Sequence, residues 1–153
     1  MKGLVNTWFD DLETGATEHT RGRTITEADI VNWCALTGDW FVLHSDKEYA
    51  ARSAFGQRVA PGMMVVAFSG GLGVPPDAEA IVANYGTDRI RYPRPTFIGD
   101  TLHCEIRVEE LRVRDEQTGV ASFSWNMVNQ DGDLVMTSQL KVLLWRRPGA
   151  DRV

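Results

Sequence analysis

Apolar positions repeat along this chain with two different periods. Leu102, Cys104, Ile106 and Val108 alternate with His103, Glu105, Arg107 and Glu109. A period of two predicts a strand with one buried and one wet face. Ala121, Phe123, Trp125 and Met127 repeat the pattern, and residues 134–145 form the last strand. Between these two, Asn129-Gln130-Asp131-Gly132-Asp133 reads as a turn centred on Asp-Gly. A polar turn falls within 113–119, and a further strand covers 87–92, ahead of Pro93 and Pro95. Upstream of Gly73 the period is helical. Ile30, Trp33, Cys34 and Thr37 share a face, with Thr26 as N-cap, Asp29 in the first turn and Gly38 as the stop. A short helix fits 46–52, and 17–25 is predicted as a strand. A third helix starts at Pro61, and its run Met63-Met64-Val65-Val66-Ala67-Phe68 is apolar on every side. Such a helix is expected to be buried all round, which in so small a domain requires a sheet curled about it. Strands segregated from helices give an α+β class with an antiparallel sheet.

Composition narrows the function classes. At 153 residues, 43% hydrophobic and 24% charged, the chain is expected to be one domain over 1–153. The polar stretch 146–153, with Pro148-Gly149, is expected to fray. Sixteen basic against 21 acidic residues give a net charge of -5, so nucleic acid is not an expected partner. No apolar run approaches the roughly 18 residues of a membrane helix, and the first residues lack a signal-peptide core. Cys34 and Cys104 form no C-x-x-C pair and read as small core residues, so a cytoplasmic location is expected. His19 and His103 read as solvated. With no Cys or His partner at ligand spacing, no metal site is expected.

The densest chemistry lies in Thr37-Gly38-Asp39-Trp40-Phe41-Val42-Leu43-His44-Ser45-Asp46. Asp39 and His44 flank four apolar residues, and a carboxylate beside an imidazole makes a general acid/base pair. The same residues also suit a helix stop followed by a capped loop. At the third helix, Pro61 fits the first position, and Ala60 offers no side-chain oxygen as a cap. The N–H groups of Gly62 and Met63 are then free for an anion, a polarised carbonyl oxygen, or water. Arg89, Arg91 and Arg94 cluster in an acidic chain, either as a solvated face or as a contact for phosphate.

Taken together, these segments resemble the MaoC-like hydratase family, which includes (R)-specific enoyl-CoA hydratases. The family stretch G-D-x-N-P-x-H-x-D corresponds to Gly38 to Asp46. It is followed by Tyr49-Ala50, Phe55-Gly56 and Val59-Ala60-Pro61-Gly62-Met63. Arg89-Ile90-Arg91-Tyr92-Pro93-Arg94-Pro95 and Ile98-Gly99-Asp100-Thr101-Leu102 resemble its downstream segment.

The resemblance implies a single hotdog fold, an antiparallel sheet wrapped around a long central helix. A helical insertion carries the motif, and chains are joined edge to edge as dimers or higher oligomers. It implies addition of water to a trans-2-enoyl thioester, giving the (R)-3-hydroxyacyl thioester, or the reverse reaction. Asp39 and His44 match the catalytic pair and Gly62 the oxyanion donor. The substrate would be an acyl-CoA or acyl-carrier-protein thioester, with no metal or organic cofactor. Trp40, Phe41, Val42, Pro61 and Met63 are expected along the acyl group, Ser69 either there or as a helix-packing serine, and Arg89, Arg91 and Arg94 at the coenzyme A phosphates. The chain departs from the family at Asn-Pro, which is Phe41-Val42 here, and at the histidine before the helix glycine, which is Pro61. An apolar pair at 41–42 could reshape the pocket. An acyl-CoA thioesterase and a non-catalytic acyl-thioester-binding hotdog subunit are the competing readings.

Overall fold

The structure is a computed structural model that describes residues 3–147. Two 3-10 turns, Leu4–Asn6 and Phe9–Asp11, open the chain. The strands are β1 (Thr17–His19), β2 (Arg23–Thr24), β3 (Ile81–Arg91), β4 (Thr101–Val113), β5 (Thr118–Val128) and β6 (Leu134–Trp145). The helices are α1 (Glu27–Thr37), α2 (Val42–Ser45), α3 (Lys47–Ala51) and α4 (Gly62–Gly73). The strands form one antiparallel sheet in the order β1-β4-β5-β6-β3, with β2 also paired to β4.

The expected helix at Thr26 forms as predicted. Thr26 accepts the Asp29 N–H, and the Asp29 carboxylate accepts the Thr26 N–H in return, a reciprocal capping box. Gly38 ends the helix at φ 77°, a left-handed conformation that glycine adopts without a Cβ penalty. Asp46 caps α3 through the Tyr49 N–H. The strand expected over 17–25 is instead broken into β1 and β2. At the break the Thr20 hydroxyl accepts the Cys104 N–H, so a side chain replaces a ladder bond. β3 begins six residues before the expected start at Thr87. Val82 to Tyr85 are exposed and lack an alternating pattern, which hid this part of the strand.

The helix α4 lies against the sheet, but it starts one residue later than expected. Pro61 is its N-cap, at φ -56° and ψ 129°. The expectation of burial on every side is also corrected. Met64, Val65, Ser69 and Gly73 face inward, whereas Met63 is 57% exposed, and Ala67 and Gly71 are exposed too. The helix therefore presents an apolar stripe at four-residue spacing that the described residues do not cover. Its inner face is tight. A Cβ at Gly73 would lie 2.4 Å from the Trp125 ring. The core around it includes Ile106, Phe123, Met127, Met136 and Leu144.

The expected tail is corrected at its first two residues. Arg146 Nε donates to Asp10 at 2.9 Å, and the Arg147 N–H donates to the same carboxylate. Burial pushes the Asp10 carboxyl up, but these arginine contacts outweigh it and hold the group below its usual value. The remainder, 148–153, lies outside the described residues.

Candidate active site

Three segments meet around a cavity of about 500 Å³. Asp39 and His44 come from the loop and short helix after α1, Gly62 and Met63 from the start of α4, and Tyr92 to Thr96 from the loop after β3. Phe55, Val59, Ala60 and Val65 complete the wall. Backbone bonds hold the segments together. The Val59 N–H donates to the Leu43 carbonyl at 3.1 Å, and the Ala60 N–H donates to the Thr96 carbonyl at 2.8 Å.

The state of His44 follows from its neighbours. Its Nδ1 lies 2.7 Å from the Val59 carbonyl oxygen, which can only accept. Nδ1 therefore carries the proton, and in the neutral ring Nε2 is left with a free lone pair. The Phe41 ring packs edge-on against the imidazole, with centroids 5.7 Å apart. Asp39 follows Gly38, and its N–H donates to the Thr37 hydroxyl at 3.2 Å. Among the described residues its carboxylate takes no protein hydrogen bond, so its oxygens are available to a water or ligand in the cavity.

At the start of α4, the Met64 N–H already donates to the Pro61 carbonyl at 3.0 Å. The N–H groups of Gly62 and Met63 have no protein acceptor among the described residues. They stand at the positive end of the helix, facing the same cavity as Asp39 and His44. The Tyr92 ring covers Gly62 so closely that a Cβ there would lie 2.7 Å from it. The Tyr92 hydroxyl points to the Met63 sulfur at 3.5 Å, and burial pushes its pKa up.

Of the residues expected at the substrate, Met63 and Arg94 line this cavity with Asp39, His44 and Gly62. Arg94 Nε is 3.3 Å from Asp133. Pro61 is buried beside the cavity as the helix cap. Trp40, Phe41 and Val42 lie outside its wall and are 52%, 54% and 38% exposed. The departure from Asn-Pro has a local explanation. Phe41 is the N-cap of α2 and Val42 its first residue. Asn and Pro are favoured at those two positions of any helix, so the change removes a cap rather than reshaping the cavity wall. Arg89 and Arg91 lie on β3, away from the cavity wall. Ser69 is buried, bonds the Val66 carbonyl at 2.6 Å, and faces a second, smaller cavity with Trp125 and Leu140. Tyr92, Phe55 and Thr96 were given no role from the sequence. Phe55 and Tyr92 fall inside the family-like segments, whereas nothing local marks Thr96.

Cys34 and Cys104 are buried core thiols, as expected. Burial pushes Cys104 up to about 12, and burial plus the Asp39 charge raises Cys34. His19 is exposed and His103 faces outward on β4, as expected, and the two rings stack, 6.0 Å apart, beside Glu105.

A sheet of this order laid around one helix defines a hotdog protein. A mycobacterial protein described as a double hotdog superposes with a TM-score of 0.81 at 22% identity, covering 97% of this chain and 47% of that one. The chain belongs to the family of the MaoC like domain, whose profile matches residues 12–125. It is 36% identical to Protein MaoC of Klebsiella aerogenes over 72% of this chain and 33% of that protein. It therefore spans about a third of that relative's length. It is 30% identical to the (R)-specific enoyl-CoA hydratase of Aeromonas caviae over 76% of this chain and 84% of the enzyme. Among solved structures, a monoamine oxidase regulatory protein from Archaeoglobus superposes with a TM-score of 0.87 at 33% identity, covering 93% and 96% of the two chains. Several of its relatives are named hydratases or dehydratases, the Aeromonas caviae enzyme among them.

Proposed function

We propose that this chain adds water to a trans-2-enoyl thioester to give the (R)-3-hydroxyacyl thioester, or runs the reverse dehydration. The single observation that carries this reading is the shared cavity in which Asp39, His44 and the free Gly62 N–H converge. One water held between the Asp39 carboxylate and His44 Nε2 would lose a proton to the imidazole as its oxygen bonds to C3. The electron pair of the C2–C3 double bond moves toward the thioester carbonyl, whose growing negative charge the Gly62 N–H stabilises. A proton returned to C2 completes the addition. General acid/base catalysis of this kind contributes about 10²–10⁴ in rate, and one oxyanion donor about 10²–10³. The thioester carbonyl is itself the electron sink, so the reaction needs no metal or organic cofactor. Arg94 at the cavity mouth suits an anionic carrier, whether coenzyme A or the phosphopantetheine of a carrier protein.

Incubation with crotonyl-CoA and longer enoyl-CoAs tests the reading. The enoyl absorbance should fall without release of free thiol. Thiol release would instead mean thioester hydrolysis. Binding with no change in either signal would mean a subunit that holds acyl thioesters without turning them over.

A further inference from the structure

We propose that His19, His103 and Glu105 form a surface site for a borderline divalent cation of the zinc type, clamping the edge strand β1 to β4. The three residues lie far apart in sequence and meet only through strand register. His19 stands directly opposite Glu105 in the β1–β4 ladder. His103 precedes Glu105 by two residues on β4, so both project from the same outward face.

The distances fit an ion. His19 Nδ1 is 3.7 Å and His103 Nε2 3.5 Å from the same Glu105 oxygen, and all three donor atoms lie within 4.8 Å of one another. A tetrahedral zinc with bonds of about 2.0–2.1 Å separates its donors by about 3.4 Å, so tenths of an ångström of side-chain adjustment close two edges of the polyhedron. The imidazole planes are 18° apart, so a rotation of the largely exposed His19 ring is what brings both lone pairs to one ion beside the carboxylate.

Two imidazoles and one carboxylate select by chemistry. The set suits zinc and its neighbours, whereas magnesium and calcium prefer oxygen donors throughout. The opposing charge nearby is engaged elsewhere: Arg107, next along the outward face, is 3.9 Å from Glu109. A fourth ligand would be water, which reaches the site through the polar groove floored by Thr17, Ser124 and Asn126. None of the three residues lines the cavity of Asp39 and His44, so the site is independent of the proposed hydration. Its consequence is mechanical. β1 is only three residues long at the sheet edge, and an ion bridging it to β4 stabilises the folded state by mass action.

Titration calorimetry of the full chain, free of any histidine tag, with zinc chloride tests this. The expected result is one equivalent bound, with the thermal midpoint raised by zinc and unchanged by magnesium. Cobalt should report the same site by ligand-field absorbance. His19→Ala, which removes a largely exposed ring, and His103→Gln should each weaken binding at least tenfold, whereas His44→Ala should bind as the native chain does. Absence of zinc binding, or native affinity in both His19→Ala and His103→Gln, would overturn the proposal, as would loss of binding in His44→Ala alone.

Discussion

The Nδ1 of His44 lies 2.7 Å from the carbonyl oxygen of Val59, fifteen residues on. That contact sets the tautomer and aims the unprotonated nitrogen at the cavity. His44→Ala is therefore expected to lower kcat/KM on an enoyl-CoA by about 10²–10⁴. Because His44 is only half-buried, the melting temperature should change little. A variant that lost activity only in step with its fold would contradict the assignment.

Gly62→Ala keeps the N–H donor but adds a methyl group where the Tyr92 ring stands, at 2.7 Å. Displacing that ring should cost about 1–3 kcal/mol of stability and hinder approach of the thioester carbonyl. Adding Tyr92→Ala should restore the stability measured by denaturant unfolding. Activity should stay low if close approach to the Gly62 N–H is what the reaction requires.

Gly73→Ala probes how α4 is seated. The new Cβ would lie 2.4 Å from Trp125 and 3.0 Å from Ile106, both in the core. Overpacking at two rigid neighbours should destabilise by about 1–3 kcal/mol or more, even though alanine favours the helix. An unchanged unfolding midpoint would mean that the helix sits farther from the sheet.

The capping box at α1 should give stability a defined pH dependence. Burial raises the Asp29 carboxyl, but the Thr26 N–H and hydroxyl and the Arg23 guanidinium outweigh it and lower the pKa below 3.8. A carboxyl depressed in the folded state stabilises fully above its unfolded pKa, and that contribution is lost as pH falls through the folded value. The native chain should thus exceed Asp29→Asn in melting temperature near neutrality, and the gap should close as the solution is acidified below about pH 4.

Among the described residues no strand pairs with the far edge of β3, and Val82 and Tyr85 on it are 37% and 52% exposed. The edge-to-edge assembly that the family resemblance implies would cover this edge. Sedimentation should then report a dimer, and Val82→Lys with Tyr85→Lys should shift it toward monomer. A native chain that sediments as a monomer would contradict the assembly.

What could be read in the sequence depended on how local the cause was. The α1 boundaries follow from Thr26, Asp29 and Gly38, which act within one or two turns. β6 follows from its turn and its apolar run. The exposed side of α4 could not be read from composition, because hydrophobicity does not say which surface covers it. The length of β3 was hidden because its outer residues are not buried within this chain. At the site, Asp39, His44 and Gly62 were legible through spacing and family resemblance. The Val59 carbonyl and Thr96 were not, since their roles come from backbone bonds between distant loops. His19 and His103 were read as isolated because their meeting depends on the register of β1 against β4.

The central claim is that Asp39 and His44 act on one water in a shared cavity. Its most direct test is Asp39→Asn, with crotonyl-CoA turnover followed alongside thioester binding. Binding should be retained while kcat falls by about 10²–10⁴, since the carboxylate, not the shape of the pocket, is removed. Hydration at the native rate by this variant would contradict it.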